Sequence, residues 1–190
     1  MSRLPFLSRD ALSEDGQKLW DGIVETRGDA AVNDAGGLIG PFNAWATAPG
    51  VGARLSSLGA TLRFKTSIER RLLEVAIITT GAYWKAEFEW WAHSRMAREH
   101  GVSDAVIAAI QRGDEPQFDR DDERAVYDVA RQLSSTGRLD ERTYAAAHDL
   151  LGDEAMVELV SLCGYYALVS FTLNAFDVGL PPGVDPVFER

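Results

Sequence analysis

Cysteine is nearly absent from this chain. Cys163 is the single one in 190 residues, which excludes an intramolecular disulfide, a CxxC redox pair and a cysteine-based zinc site. Histidine is scarce, with three residues, and positive charge is outweighed. Nineteen Lys and Arg stand against 29 Asp and Glu, for a formal charge of −10 and a pI near 4.7. Without a basic surface to neutralise phosphates, neither nucleic acid nor anionic lipid is an expected partner. No segment alternates cleanly between apolar and polar residues, so strands are not expected. No stretch is of low complexity. Residues 1–10 hold no apolar h-region of a secretory signal, and with so little cysteine a cytoplasmic location is the expectation. One uncharged run, Leu159–Phe176, approaches the length of a membrane span. Ser161, Gly164, Tyr165, Tyr166, Ser170, Thr172 and Asn174 interrupt it, and no basic flank marks it. It reads as a buried central helix, and no membrane is expected as a partner.

What the chain does carry is helix signals. It is 46% hydrophobic and 25% charged, ordinary for a globular chain, and a chain of this size buries roughly 70% of its unfolded surface. Ser13 is placed to cap a helix running through Glu25, with Leu19, Trp20 and Ile23 as its apolar stripe. Residues 27–40 read as a loop with four glycines. Short helices are expected over Pro41–Ala48 and about Val51–Phe64. Thr66-Ser-Ile-Glu69 has the spacing of a capping box. The helix it opens, Leu72–Trp84, contains one charge, Glu74, and should be buried nearly all round. Gly81 is expected to loosen the chain before the next helix, which Gly101 closes. Ser103, Asp119 and Asp140 are expected to cap helices over 104–112, to about Ser134, and over 141–151. A final helix is expected from Asp153 or Glu154 to about Phe176.

The fold class is therefore all-α, with about seven to nine helices. Two helix-rich halves meet at Gly113-Asp-Glu-Pro116. The second is too small to cover its own apolar helix, so residues 1–190 are read as one domain. Its core spans about 40–180, with an N-terminal helix and loop in 1–40.

Glu89 and His93 are the most informative residues. Four positions apart, they share one face of a helix. At about 100° per residue, Ala86, Glu89, Trp90, His93, Met96 and Ala97 lie on one side, and Glu87, Trp91, Ser94, Arg95 and Arg98 on the other. A carboxylate and an imidazole thus sit on the more apolar face, where ionisable groups are costly unless paired. Glutamate and histidine at this spacing can also ligate a metal ion. The twice-repeated Glu-x-x-His of di-metal bundles is not present, and no metal or other cofactor is assigned.

Along Glu74, Tyr83-Trp84, Glu87-Phe-Glu89-Trp-Trp-Ala-His93 and Ala97-Arg-Glu-His-Gly101, the chain resembles the carboxymuconolactone decarboxylase / alkylhydroperoxidase D-like family. Pro41-Phe-Asn43, Pro49, Gly164-Tyr-Tyr166 and Leu173-Asn-Ala-Phe176 resemble its longer members, so the likeness covers about 40–180. It implies an all-helical bundle forming homo-oligomers, commonly dimers, trimers or hexamers. In the peroxidase branch two cysteines precede the histidine by seven and four residues, served by a relay of an upstream glutamate and the histidine. Here Glu74 and His93 match the relay, but the cysteine positions are Ala86 and Glu89. Thiolate is the nucleophile that peroxide chemistry requires, so thiol peroxidase activity is disfavoured.

What the resemblance leaves is a Glu74, Glu89 and His93 set suited to proton transfer on a small organic acid or lactone. Tyr83, Trp84, Trp90, Glu87 and Tyr166 are the candidate substrate-binding residues, supplying an apolar wall and polar handles. Each has a plainer reading. Glu74 has Arg70 and Arg71 within one turn as structural partners, and Glu89 with His93 can be a core pair pinning two helices. Glu87 also reads as a solvated or interface carboxylate, and Trp91 as a subunit contact. A catalytically silent, ligand-binding member is the remaining alternative.

Overall fold

The structure, a computed structural model, describes residues 2–189. Among these residues it is helical, with no strand and two isolated bridges, Ser8 with Gly37 and Val32 with Leu38. Eight helices are present: α1 (Glu14–Arg27), α2 (Phe42–Thr47), α3 (Pro49–Phe64), α4 (Arg70–Tyr83), α5 (Glu87–Glu99), α6 (Asp104–Arg112), α7 (Asp121–Thr136) and α8 (Glu141–Ala175). The all-α expectation holds. The chain divides into two compact units, one of residues through Thr61 with Thr172–Gly179, the other of Leu62–Phe171 with the residues from Leu180 on. The Gly113–Pro116 linker falls inside the second unit.

In the first unit Ser13 caps α1 as its position foretells, its hydroxyl accepting from the Gly16 amide at 3.2 Å. Leu19 and Ile23 are buried, and α1 packs on α2. Asn43, to which the sequence assigns no role, is buried. Its amide nitrogen donates to the Pro5 carbonyl at 3.0 Å, and its oxygen accepts from the Leu7 amide at 3.4 Å. It fastens the N-terminal segment.

The second unit is built around α4. Eleven consecutive residues, Arg71–Gly81, are buried, because α5, α6 and α7 all pack on this helix. Val75, Ala76, Ile77 and Ile78 are wholly inside, and each large aliphatic side chain so placed stabilises by roughly 1.5–3 kcal/mol. Arg71 is buried as well and ties α4 to α7, with Asp122 at 2.9 Å and Glu123 at 2.5 Å. Burial opposes the charge on Asp122, but the Arg71 guanidinium wins and brings its carboxyl down to about 2.

Four local expectations are corrected. The capping box at Thr66 does not form, since α4 starts at Arg70. The Ser67 amide and hydroxyl go instead to Glu158 on α8, at 2.9 and 2.7 Å, and Glu69 pairs with Arg71. The Thr66 hydroxyl donates to the Leu62 carbonyl at 3.4 Å and the Glu69 carboxylate faces Arg71, so both side chains of the box are taken elsewhere. Gly81 does not loosen the chain, because α4 continues to Tyr83. The break is at Lys85, with φ of 51°. The Ala86 amide donates to Gly81 O at 2.9 Å and the Lys85 amide to Ala82 O at 3.0 Å, the two bonds of a Schellman closure with lysine where glycine is usual. Asp119 does not cap α7, whose cap residue is Arg120.

The fourth concerns α8. As expected, Gly152, with φ 76° and ψ 177°, breaks it into 141–151 and 153–175. This run is long and apolar enough to cross a membrane, with half of its most apolar stretch buried inside the chain. The buried central helix expected over Leu159–Phe176 is buried on one side only. Leu159, Leu162, Tyr166 and Val169 face inward, while Val157, Val160, Leu168 and Phe171 are exposed.

Candidate functional site

The last turns of α4 and the first turns of α5 lie side by side because the closure at Lys85 reverses the chain in three residues. A side-chain carbon at Gly81 would sit 3.5 Å from Cγ of Glu89, an ordinary van der Waals distance, so α5 lays Glu89 directly along α4.

The result is an imidazole held between two carboxylates. Nδ1 of His93 is 2.7 Å from Oε2 of Glu74 on α4, and its Nε2 is 3.0 Å from Oε1 of Glu89 one turn back on α5. Glu74 is wholly buried, and Glu89 and His93 nearly so. The contact to Glu74 is a well-directed hydrogen bond. The contact to Glu89 is close but poorly aligned, which leaves Oε1 of Glu89 without a directed hydrogen bond in a buried place. The second oxygen of Glu74 meets Nη2 of Arg70 at 3.0 Å. Arg70 is thus the arginine that pairs with Glu74, and Arg71 turns to α7.

Charge states follow from this geometry. Burial pushes the Glu74 carboxyl up, yet the hydrogen bond and charge of His93, with Arg70 and Arg63 behind, outweigh it and hold Glu74 below the ordinary range. Burial pulls His93 down, and the charge of Glu89 with the hydrogen bond of Glu74 more than reverse that. His93 therefore holds its proton more tightly than a free imidazole, and each ring nitrogen has a carboxylate oxygen within 3.0 Å. Tyr166 from α8 sets its ring edge-on to His93, with centroids 5.2 Å apart. Burial raises its phenol well above 10, so the hydroxyl stays protonated.

The structure brings together Glu74, Glu89, His93 and Tyr166, and places the other expected residues elsewhere. Glu87 is neither solvated nor turned to a ligand. It is buried, and its two oxygens accept from the Val187 and Phe188 amides at 3.0 and 2.8 Å. This fixes the C-terminal segment against α5. Trp90 is buried with its ring edge-on to Phe188 at 5.5 Å. Tyr83 lies under the Arg131 guanidinium at 5.3 Å and faces a recess of about 250 Å³ that it shares with Lys85 and Tyr127. Trp84 packs edge-on to both Tyr83 and Phe171. Trp91 is half-buried against Phe88 and Arg95. Arg63, which the sequence reading passed over, lies beside the site. Its only signal was proximity to the α4 start.

Ala86, at one position where a peroxidase-type cysteine would stand, is fully buried, and Glu89 occupies the other. Cys163 is buried on α8, and burial pushes its thiol up to about 12 despite a hydrogen bond with Thr80.

No family model matches the chain, and no curated protein does. Solved structures do. One is a crystal structure described as an alkylhydroperoxidase AhpD core, an uncharacterized peroxidase-related protein from Ralstonia eutropha. It matches with a TM-score of 0.77 at 16% identity, over 95% of this chain and 93% of that one. An uncharacterized peroxidase-related protein from Silicibacter matches at TM-score 0.73 and 13% identity, over 94% and 91%. The debrominase Bmp8, solved as a cysteine-to-alanine variant with 2,3,4-tribromopyrrole, matches at 0.73 and 16%, over 96% and 95%. The chain has the alkylhydroperoxidase D-like fold.

Proposed function

We propose that this chain is a carboxymuconolactone decarboxylase-like enzyme that moves protons on a small organic acid or lactone. The observation that carries the reading is the buried imidazole with a carboxylate on each nitrogen. Glu74 holds Nδ1 of His93 in a directed hydrogen bond, stands against Arg70, and orients the ring. Glu89 lies 3.0 Å from Nε2 without a directed hydrogen bond to it, and so is the group placed to take or return a proton. His93 supplies the proton. In loss of carbon dioxide from a lactone acid, the C–C bonding pair passes to an enol or carbanion, and the His93–Glu89 pair delivers the proton that quenches it. Tyr166 adds a protonated hydroxyl at the edge of the same ring.

The peroxidase alternative draws its support from the fold and from the names of its neighbours. It needs an accessible thiolate, and Cys163 is buried with a raised pKa. The debrominase name belongs to Bmp8, and its chemistry is not carried over. A ligand-binding role without catalysis is the outcome left if no turnover is found. We also take the chain to be a cytoplasmic homo-oligomer. Val157, Val160, Leu168 and Phe171, spaced by three, eight and three residues, form an exposed apolar stripe on one face of α8, suited to a second copy.

The test is turnover on a panel of lactones and β-keto or lactone acids. Glu89→Gln and His93→Gln are expected to lower kcat by at least about 100-fold, the scale of general acid–base catalysis. Unchanged turnover in both variants would overturn the assignment.

A further inference from the structure

Arg63 stands beside this site with little to hold. Its Nη2 reaches the sulfur of Met96 at 3.3 Å, a weak acceptor. Its Nε is buried with no hydrogen-bond partner, a state in which few buried donors are left. Neighbouring Arg70 is fully occupied, with Nη1 on the Arg63 carbonyl at 2.6 Å and Nη2 on Glu74 at 3.0 Å. Both guanidinium groups lie over the Phe64 ring, at 5.1 and 5.4 Å from its centroid. Phe64 is itself 67% exposed. Met96 is one turn beyond His93 on α5, so Arg63 approaches that helix on the side of the imidazole. Its charge acts on both Glu74 and Tyr166.

The charge count agrees. Glu74 and Glu89 contribute two formal negative charges; Arg63, Arg70 and protonated His93 contribute three positive ones. One anion would balance the set. A guanidinium fork is shaped for a carboxylate, which it grips through two parallel N–H donors. The open face beside it is an aromatic ring, which favours a flat apolar partner.

We infer that Arg63 and Phe64 form the receptor for an organic carboxylate with a planar or ring-shaped body, holding it beside the His93 site. The inference rests on the proton-transfer reading and narrows it, from small acids and lactones in general to ring-bearing monoanions. Arg63 is a binding and positioning residue here, and proton movement stays with His93 and Glu89.

Benzoate and benzamide are the probes, alike in shape and different in charge. Calorimetry on the wild-type chain is expected to show benzoate binding at least about tenfold more tightly, the smallest effect worth a charge-assisted pair. The Arg63 Nε–H resonance should move with benzoate and stay still with benzamide. In Arg63→Met the ratio should fall to about one, and Arg63→Lys, with charge but no fork, should retain part of it. Equal binding of the two probes by the wild-type chain, a stationary Nε–H resonance, or an undiminished ratio in Arg63→Met would each overturn the inference. The resonance test needs no variant, so it stands even if Arg63→Met does not fold. If benzoate binds as expected and no acid in the panel turns over, proton transfer fails and the receptor stands. If His93→Gln abolishes turnover and benzoate shows no preference, the receptor alone fails.

Discussion

Oε2 of Glu74 lies 2.7 Å from Nδ1 of His93, across 19 residues of sequence and a helix boundary. This contact converts a pair of residues on one helix into a three-group cluster spanning two. The carboxylate is wholly buried, so its charge exists only because His93 and Arg70 stand against it.

Removing that charge should be costly. Glu74→Ala leaves a buried imidazolium and a half-buried guanidinium without their counter-ion, and such breaks destabilise by about 3–5 kcal/mol. Glu89→Gln, which keeps an acceptor oxygen in place of a poorly aligned one, should change the urea midpoint far less. A Glu74→Ala chain as stable as the wild type would show that the pair is not a lock.

Stability should depend on pH through the same pair, in opposite senses. The His93 pKa is raised on folding, so its contribution is fully present below the unfolded value of 6.5 and is lost as pH rises through the folded one. The Glu74 pKa is depressed, so its contribution is present above the unfolded value of 4.5 and is lost as pH falls through the folded one. Unfolding free energies should therefore decline as pH rises above 6.5, with a slope that His93→Gln flattens. An equal slope in the variant would contradict the raised value.

Cys163 should behave as a packing residue. With the thiol near 12 and buried, a thiol reagent at neutral pH should leave the native chain unlabelled and label it fully in denaturant. Hydrogen peroxide consumption by the native chain should not exceed that of Cys163→Ala. Rapid native labelling would revive the peroxidase reading.

Glu87 should hold the C-terminal segment. Glu87→Ala removes both acceptors from the Val187 and Phe188 amides, each a hydrogen bond to a charged group worth about 1.5–3 kcal/mol. Amide exchange at these two residues should quicken by at least about tenfold. Exchange in the α4 interior should be unaltered, since the segment lies outside that core. If 187 and 188 exchange no faster, the carboxylate is not the anchor.

Much of this protein was decided locally. Ser13 and Ser103 cap where their hydroxyls follow a loop and precede an apolar period, because a cap needs only the amides two or three residues ahead. Gly101 and Gly152 end helices because positive φ is cheapest there. The run Leu72–Trp84, with Glu74 as its one charge, marked α4 as the buried helix, and the spacing of Glu89 and His93 put an acid beside an imidazole on one face. Tertiary packing decided the remainder, because it turns on groups far apart in the chain. It brought Glu74 to His93, chose Arg70 over Arg71 as its partner, and joined the Ser67 amide to Glu158 on α8. It also turned Glu87 from a surface charge into an anchor. Local rules act over one helical turn, where periodicity and capping are written into neighbouring residues. Long-range ion pairs form only when packing removes water from both partners, and no spacing along the chain records which helices will meet.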